Sequence, residues 1–475
     1  MGNEKLFRDE SIGKLILKTS LPSVLIILMM LIYNMADIFF IGQTGDALQV
    51  AAVSLSGPLL SILSGLGTLV GAGGCAAIAT AWGKGETQKV RSMSSFCGWG
   101  AIAMGLVFAL VFFAAQQPIL KGIGTSGETL AFTQSYLRII GAGAPLMIFS
   151  SAMANVVRGQ GAVKESMTGN ILGNVVNILL DPLFISVFGW GVAGAAFATV
   201  IGNGLSSLYF LRFLTGKKSV LSMDLKDFSL KPAVSLKVLS LGLPTAFSVL
   251  LMSLSSILVN NIAAAYGDRV IAAMGVAGRV GMLVSMVQMG ICMGVQPAVS
   301  YNFGARLFGR MNALLKRTLC ITLGMGSLLT ALVYFGRTPM VAFFLDDQEV
   351  IRLGESIVAI SMVTGPIFGI GQLCTIYLQS TDKASMATVA SVLRQGLFLL
   401  PAVLILNRAF GLTGLLWSSV VADLLSTAAN LLFALRQRGA LKKAALSEET
   451  VPLGSGEPVA GDPEEPVYET ATDGP

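Results

Sequence analysis

The sequence predicts an all-α membrane protein with about twelve transmembrane helices, and three observations support this fold class. Only 12% of the 475 residues are charged, about half the share found in ordinary soluble domains. The mean hydropathy is +0.75, and apolar runs long enough to cross a bilayer, about 20 residues each, recur from end to end. Lysine and arginine are concentrated in alternate connections between these runs, as multi-pass proteins require.

The apolar runs place six spans in each half of the chain. The first run is too long for the apolar core of a signal peptide, and no small-residue cleavage site follows it. We therefore interpret it as the first helix. The predicted spans are residues 15–41, 49–80, 94–116, 130–157, 166–188, 191–213, 234–264, 271–302, 317–336, 351–379, 384–407 and 411–435.

These spans divide the chain into two predicted lobes. The N-terminal lobe covers residues 15–213, the C-terminal lobe covers 234–437, and a cytoplasmic loop at 214–233 joins them. Residues 1–14 form a cytoplasmic N-terminus. Residues 438–475 form a cytoplasmic tail, rich in proline, glycine and acids toward its end, which we predict to be disordered.

The distribution of lysine and arginine predicts that both termini lie in the cytoplasm. Most of the 32 basic residues fall in connections on the side of the N-terminus, and the positive-inside rule assigns that side to the cytoplasm. The outer side receives five of them, which are Lys121, Arg269, Arg337, Arg352 and Arg408.

The two halves of the sequence are similar to each other in ordered positions. Pro22 and Pro244 are 222 residues apart, as are the pairs Gly45-Asp46 and Gly267-Asp268; Pro182 and Pro401 are 219 apart, and Gly194 and Gly414 are 220 apart. Because each half has an even number of spans, both enter the membrane from the same side. The repeat is therefore parallel, which is typical of secondary transporters whose lobes rock around a central cavity.

Residue composition argues against an enzyme and against an ATP-driven pump. The chain has no histidine, which excludes His-based catalysis and the H-E-x-x-H zinc motif, and it lacks a G-x-x-x-x-G-K-[ST] phosphate loop. The five cysteines form no C-x-x-C pair, so we interpret them as packing residues. No cofactor and no nucleic-acid partner is expected.

Two acids inside the predicted spans, Asp37 and Asp181, stand out. An intramembrane acid is a functional candidate because burying a charge in lipid is costly. At 1.5 Å per residue, Asp37 and Asp181 lie about 30 and 22 Å from the cytoplasmic ends of their helices, and Thr199 about 12 Å from an outer end. All three can therefore meet at one level. The fifth span also carries a polar stripe on one face, formed by Asn170, Asn174, Asn177 and Asp181.

This stripe predicts a site for one small cation, Na⁺ or H⁺, in the N-terminal lobe. Pro182 frees the carbonyl of Ile178 from its helical hydrogen bond, which adds an oxygen beside Asp181. For the asparagines, hydrogen bonding between helices is an equally good interpretation, and Asp37 can also be read as an interfacial residue. The repeat favours a functional site in one lobe, because the second half keeps the prolines but not the acids: Asp37, Asn177, Asp181 and Thr199 map to Val259, Gly396, Leu400 and Ser419.

The eighth span offers candidates for a substrate cavity. Met282, Met286, Met289 and Met293 follow one helix face, and methionine suits promiscuous surfaces because its side chain is adaptable. Ordinary helix packing is the alternative. Arg279 and Arg394 lie within spans, either to neutralise a charge in the cavity or close to helix ends.

Several short stretches resemble the multidrug and toxic compound extrusion (MATE) family, within the wider family of multidrug, oligosaccharidyl-lipid and polysaccharide exporters. They are Asp37 to Gly42, Tyr136 to Ile139, Arg158 to Gly161, and Asn177 with Asp181-Pro182. The resemblance covers about residues 10–440. It implies a V-shaped pair of six-helix lobes in a bacterial or archaeal plasma membrane, which exports organic, often cationic or amphipathic, compounds by antiport with Na⁺ or H⁺.

The resemblance also implies site residues. Archaeal and related bacterial members use an acid in the first helix, an asparagine and an acid four apart in the fifth, and a threonine in the sixth. These match Asp37, Asn177, Asp181 and Thr199, with Asn34 and Asn174 as candidate neighbours. Another branch uses acids in the seventh and tenth helices. The seventh here offers Ser253, Ser256 and Asn260, and the tenth has Gln372, so a C-terminal cation site is not expected.

Three other functions remain open from the sequence. A flippase for lipid-linked sugars of the same superfamily would carry additional helices and a more basic cavity. An intramembrane lipid-phosphate transferase would need clustered acids for a metal or a catalytic base within the bilayer. A channel would show no coupling between two solutes.

Overall fold

The computed structural model describes residues 2–125, 127–216, 219–344 and 347–449. The described chain is helical, with short connections except between Leu214 and Ser235. The helices of the first half are α1 (Gly2–Arg8), α2 (Ile12–Gly42), α3 (Ala47–Gly83), α4 (Thr87–Ala114), α5 (Gln116–Gly122), α6 (Gly127–Gly159), α7 (Val163–Asp181) and α8 (Gly191–Leu214). Those of the second half are α9 (Ser235–Ala264), α10 (Asp268–Gly304), α11 (Phe308–Phe335), α12 (Arg337–Ala342), α13 (Gln348–Ser361), α14 (Phe368–Ser380), α15 (Ala384–Val392) and α16 (Leu400–Glu449).

Within the described residues, ten helices are long and apolar enough to cross a membrane. The number rises to eleven if the bent pair Gln348–Thr364 and Phe368–Ser380 forms one span. The last of the ten covers Ala384–Ala440 and contains a reversal at Gly411, where φ is 59° and ψ is −138°. Twelve spans require the two arms around Gly411 to count separately, and that number stays a prediction.

The similar positions of the two halves occupy similar places in the fold. Gly45 and Gly267 both have positive φ, 70° and 99°, immediately before α3 and α10. A Cβ on Gly194 would lie 2.7 Å from the carbonyl carbon of Phe184, and one on Gly414 would lie 1.9 Å from the carbonyl oxygen of Leu406. Both glycines therefore allow the chain to fold back tightly between consecutive helices.

The lobes pack together at one end, which we call the basic end. Its connections carry Lys84, Arg306 and Lys383, and Lys164 lies in the first turn of α7 there. There α3 contacts α9 and α10, and α10 contacts α2. Glycines make these crossings close: a Cβ on Gly242 would lie 1.7 Å from the carbonyl oxygen of Leu69, and one on Gly294 would lie 2.5 Å from that of Thr19.

Toward the other end the lobes separate. The far halves of α2 and α9 expose large apolar side chains such as Met35 and Leu254, whereas the halves of α3 and α10 near the basic end are almost entirely buried. The result is a two-lobed, V-shaped bundle that is closed at the basic end, as the resemblance implies.

The N-terminal helix α1 bridges both lobes at the basic end. Phe7 is fully buried, with ring centroids 6.1 Å from Trp82 of α3 and 5.4 Å from Tyr301 of α10. The Nε of Arg310 donates to the carbonyl of Phe7 at 2.9 Å, and its guanidinium also donates to the carbonyl of Glu10. The predicted N-terminus thus contains a docked helix.

Two other predicted segments differ from the structure. The tenth span, residues 351–379, is bent by 44° between Thr364 and Phe368, where Pro366 lacks the N–H that a continuous helix needs. The predicted tail begins in helix, since α16 continues to Glu449 through an alanine- and lysine-rich stretch of high helix propensity. The rest of the tail, 450–475, lies outside the described residues.

Candidate cation site

Three helices of the N-terminal lobe bring the four predicted residues into its interior. Asp37 comes from α2, Asn177 and Asp181 from α7, and Thr199 from α8, and α7 packs against both other helices. All four side chains are buried; Asp37 is 8% exposed and Asp181 is 0% exposed. Glycines permit the close approach of α7 and α8, because a Cβ on Gly202 would lie 2.6 Å from the carbonyl oxygen of Gly173.

The amide of Asn177 links the members of this cluster. Its Nδ2 donates to Oγ1 of Thr199 at 3.3 Å and to Oδ1 of Asp181 at 3.5 Å. Three buried oxygens, Oδ1 of Asp37, Oδ1 of Asn177 and Oδ2 of Asp181, have no hydrogen-bond partner within the described residues. Buried polar atoms are rarely left unpaired, and oxygen ligands suit hard cations, so the donor set fits a small cation or a proton.

The electrostatics of the cluster favour an added positive charge. The carboxylates of Asp37 and Asp181 are both buried, on α2 and α7, which pack against each other. Neither forms an ion pair with a lysine or arginine in the part of the chain that the structure describes. Two buried carboxylates without a counter-charge are costly, and a bound Na⁺ or H⁺ relieves that cost.

Pro182 shapes the backbone beside Asp181. Helix α7 ends at Asp181, and the chain continues as a π-helix over Pro182–Val187, with Phe188 N bonded to the carbonyl of Leu183 at 2.9 Å. The missing N–H of proline removes a hydrogen bond from the α-helical ladder. Such wide turns often occur at functional sites, and this one widens the helix next to the carboxylate.

The two candidate neighbours are placed differently from the four central residues. Asn34 is exposed, and its Nδ2 donates to the carbonyl of Met30 in the same helix at 2.7 Å rather than to the cluster. Asn174 is half-buried, one turn from Asn177. In the same stripe, Asn170 donates to the carbonyl of Ser166 at 2.8 Å, which is the within-helix bonding that a structural role predicts.

The predicted cavity residues of α10 precede the segment after Gly290 that is almost entirely buried near the basic end. Met282 and Met286 continue the helix face on which Gly290 contacts Val24 of α2, so they lie just beyond the point where the lobes touch. Met282 and Met289 are exposed, as is Arg279. Their lining of a substrate cavity stays a prediction.

The sequence comparison of the lobes overlooked one acid. Asp423 of α16 lies inside the last predicted span, and its Oδ1 accepts a hydrogen bond from Nε of Arg394 at 2.6 Å. The signal was available, because one acid and one arginine within two consecutive apolar spans suggest a pair. Gln288 was also missed: it is fully buried and bridges the bend before α14.

Comparison with known sequences identifies the family. The sequence model of the MatE family matches the chain twice, over residues 22–183 and 244–404. The chain is 30% identical over 452 residues to a protein named multidrug export protein MepA of Staphylococcus saprophyticus, covering 94% of this chain and 100% of that one. It is 32% identical over 446 residues to MepA of Staphylococcus aureus strain NCTC 8325, covering 92% and 98%.

Solved structures share the same fold. A multidrug resistance MATE family transporter of the MOP superfamily in an outward-facing conformation superposes with a TM-score of 0.88, at 22% identity over 93% of this chain and 99% of that chain. A MOP superfamily transporter from Pyrococcus furiosus gives 0.86, at 22% identity over the same shares. The fold is therefore that of a multi-pass α-helical membrane transporter. The chain belongs to the MatE family, and the starts of its two matched segments are 222 residues apart, the offset of Pro22 and Pro244.

Proposed function

We propose that this chain is a secondary active transporter that exports organic compounds from the cell in exchange for Na⁺ or H⁺. The observation that carries the proposal is the buried cluster of the N-terminal lobe, in which Asp37, Asn177 and Asp181 each have one oxygen without a hydrogen-bond partner and the described residues give neither acid a basic partner. Its staphylococcal relatives are named multidrug export proteins, which supports small organic compounds as the exported substrate.

The orientation of the basic end supports export. By the positive-inside rule this end lies in the cytoplasm, so the V opens to the outside and the cluster is poised to receive an external cation. The protein crosses the membrane several times. We place it in the plasma membrane of a bacterium or archaeon, and the basic connections place both termini inside.

The cation acts by changing how α2 and α7 pack. Its binding neutralises Asp37 and Asp181, so the two helices can approach and repack, and the affinity for the exported compound falls. Because a ligand shifts a conformational equilibrium only through its differential affinity for the two states, the cation must bind the outward-open state differently from the inward-open one. The membrane potential contributes about 2.3 kcal/mol per charge per 100 mV.

The test uses purified protein in liposomes loaded with a fluorescent organic cation, with a Na⁺ gradient and a pH gradient imposed separately. Asp181→Asn should abolish gradient-driven dye movement, because it removes the carboxylate charge at a fully buried position. Asp46→Asn is the matched control. Asp46 caps α3 by accepting from Leu48 N at 2.9 Å, and asparagine caps helices equally well.

Each outcome decides something about the proposal. Movement driven by one gradient, lost in Asp181→Asn and kept in Asp46→Asn, supports antiport and names the ion. Full coupled movement in Asp181→Asn contradicts the role of the cluster. Dye movement that ignores both gradients, or the absence of movement with every organic cation tried, favours a lipid flippase, and lipid-linked sugars would then be the substrate to test.

A further inference from the structure

The C-terminal lobe contains a carboxylate whose two oxygens are both occupied. Nε of Arg394 donates to Oδ1 of Asp423 at 2.6 Å, and Oγ1 of Thr364 donates to Oδ2 at 3.1 Å. The side chain of Asp423 is 14% exposed and that of Arg394 is 37% exposed. The guanidinium also lies 5.8 Å from the centre of the Phe368 ring, within range of a cation–π contact.

This pair lies far from the ends of its helices. Arg394 is ten residues from the start of α15, and Asp423 is twelve residues beyond the reversal at Gly411. At 1.5 Å per residue these positions are about 15 and 18 Å from opposite ends of their helices, near the middle of a hydrocarbon core about 30 Å thick. Charges at this depth are costly and are typically functional.

The surrounding backbone is irregular in two helices at once. Arg394 lies in a π-helical segment, Leu393–Leu399, and Thr364 ends the 3₁₀ turn at the bend before α14. The side chain of Gln288 in α10 bridges the bend: it donates to the carbonyl of Gly365 at 2.8 Å and accepts from Gly369 N at 2.7 Å. Interrupted helices near mid-membrane commonly present ion and substrate sites.

The N-terminal lobe has a neutral counterpart of this junction. The repeat offset of 220 relates Asp423 to Asn203 of α8, and Oγ of Ser150 in α6 donates to Oδ1 of Asn203 at 2.7 Å, as Thr364 donates to Asp423. The offset of 219 relates Arg394 to Val175. The C-terminal lobe therefore differs by one added carboxylate and one added guanidinium, while it lacks counterparts of Asp37 and Asp181.

We propose that Asp423 and Thr364 form a monovalent-cation site in the C-terminal lobe that the guanidinium of Arg394 fills as a tethered cation. A carboxylate at this depth needs a positive partner, and Arg394 supplies one that cannot leave. The C-terminal lobe consequently takes up no Na⁺ or H⁺ of its own. If the proposed antiport function holds, the N-terminal cluster alone sets the number of coupling ions; this consequence rests on that function.

The test measures cation binding rather than transport, so its outcome is independent of the antiport proposal. The background is Asp37→Asn with Asp181→Asn, and the readout is the midpoint of thermal unfolding of the whole chain in detergent. Titrations with NaCl against choline chloride at fixed pH, and a pH series without Na⁺, distinguish Na⁺ from H⁺. A ligand that binds only the folded state raises this midpoint with its concentration.

Replacement of Arg394 should create a new cation response. In the background, Arg394→Gln should gain stabilisation by Na⁺ or by H⁺, Arg394→Lys should gain none, and Asp423→Asn added to Arg394→Gln should abolish the gain. The proposal is overturned if the cation raises the unfolding midpoint equally with and without Asp423. It is also overturned if a folded Arg394→Gln variant shows no rise. If the background itself responds to cations, the N-terminal proposal is weakened, yet the increment that requires Asp423 still decides this one.

A second variant covers the case in which Arg394→Gln does not fold. Arg394→His introduces the only histidine of the chain, and a histidine ring gains and loses its charge between about pH 5 and 8. The protein should be insensitive to Na⁺ at the acidic end, where imidazolium pairs with Asp423, and should be stabilised by Na⁺ at the alkaline end. A Na⁺ response that is the same at both ends contradicts a tethered cation.

Discussion

Gly73 lies where the two lobes touch, and its replacement by alanine tests whether this contact holds the basic end closed. A Cβ on Gly73 would lie 1.9 Å from the carbonyl oxygen of Val238 and 2.7 Å from Gly242 N, both backbone atoms of α9. Because ordinary contacts begin at 3.4 Å, α3 and α9 must separate by about 1.5 Å. Overpacking of this kind costs about 1–3 kcal/mol, which corresponds to a roughly 5- to 150-fold shift toward the open basic end.

The assay follows the exposure of a buried position at the same end. Ser20 is 5% exposed, and its Oγ donates to the carbonyl of Ile291 at 3.1 Å across the α2–α10 crossing. With Ser20→Cys in a chain whose five native cysteines are replaced by alanine or serine, the rate of alkylation by a water-soluble maleimide reports opening. Gly73→Ala should raise this rate by about the 5- to 150-fold worked out from overpacking.

Gly65→Ala is the matched control, since Gly65 lies on the same helix and faces the same partner helix. Its Cβ would lie 3.8 Å from the side chain of Leu250 and 4.0 Å from the carbonyl oxygen of Ala246, which are ordinary contact distances, so the alkylation rate should stay at the parent value. If Gly73→Ala and Gly65→Ala alkylate at the same rate, the closure of the basic end does not depend on the backbone contact, and the reasoning is refuted.

Three further predictions concern buried side chains. Phe7→Ala removes a fully buried ring, which costs about 3–5 kcal/mol. It should raise the alkylation rate of Ser20→Cys as Gly73→Ala does. An unchanged rate would show that α1 does not help to keep the basic end closed. Gln288→Leu leaves two buried backbone groups of the bend without partners, at about 1–3 kcal/mol each. Its midpoint of thermal unfolding should therefore fall well below that of the control Gln372→Leu. Equal midpoints would contradict this role of Gln288. Thr199→Val removes the hydroxyl that accepts from Asn177 and should raise the cation concentration for half-maximal transport, whereas Thr199→Ser should not; the opposite order would exclude the hydroxyl as a ligand.

The candidate site was largely readable from the sequence because its residues violate the apolar pattern around them. An aspartate inside a long apolar run is conspicuous since the bilayer penalises charge, and helical spacing places Asn177 and Asp181 on one face. The same rule applies to Asp423. It was missed because the comparison of the lobes considered only the positions equivalent to the polar residues of the N-terminal site. Asn34 matched the pattern by proximity in sequence, but its amide bonds within its own helix.

By itself, the sequence determined the all-helical membrane class, the similarity of the two halves and the identity of the polar residues inside the apolar segments. These properties depend on the transfer of each residue from water to hydrocarbon and on the period of a single helix, which are local. Only the tertiary structure decided which residues of different helices meet: Phe7 with Tyr301, Gln288 with the bend at Gly365, and Arg394 with Asp423. Those contacts depend on where helices cross and bend, and crossings are fixed by close backbone approach at glycines such as Gly73 and Gly242, which no linear pattern records.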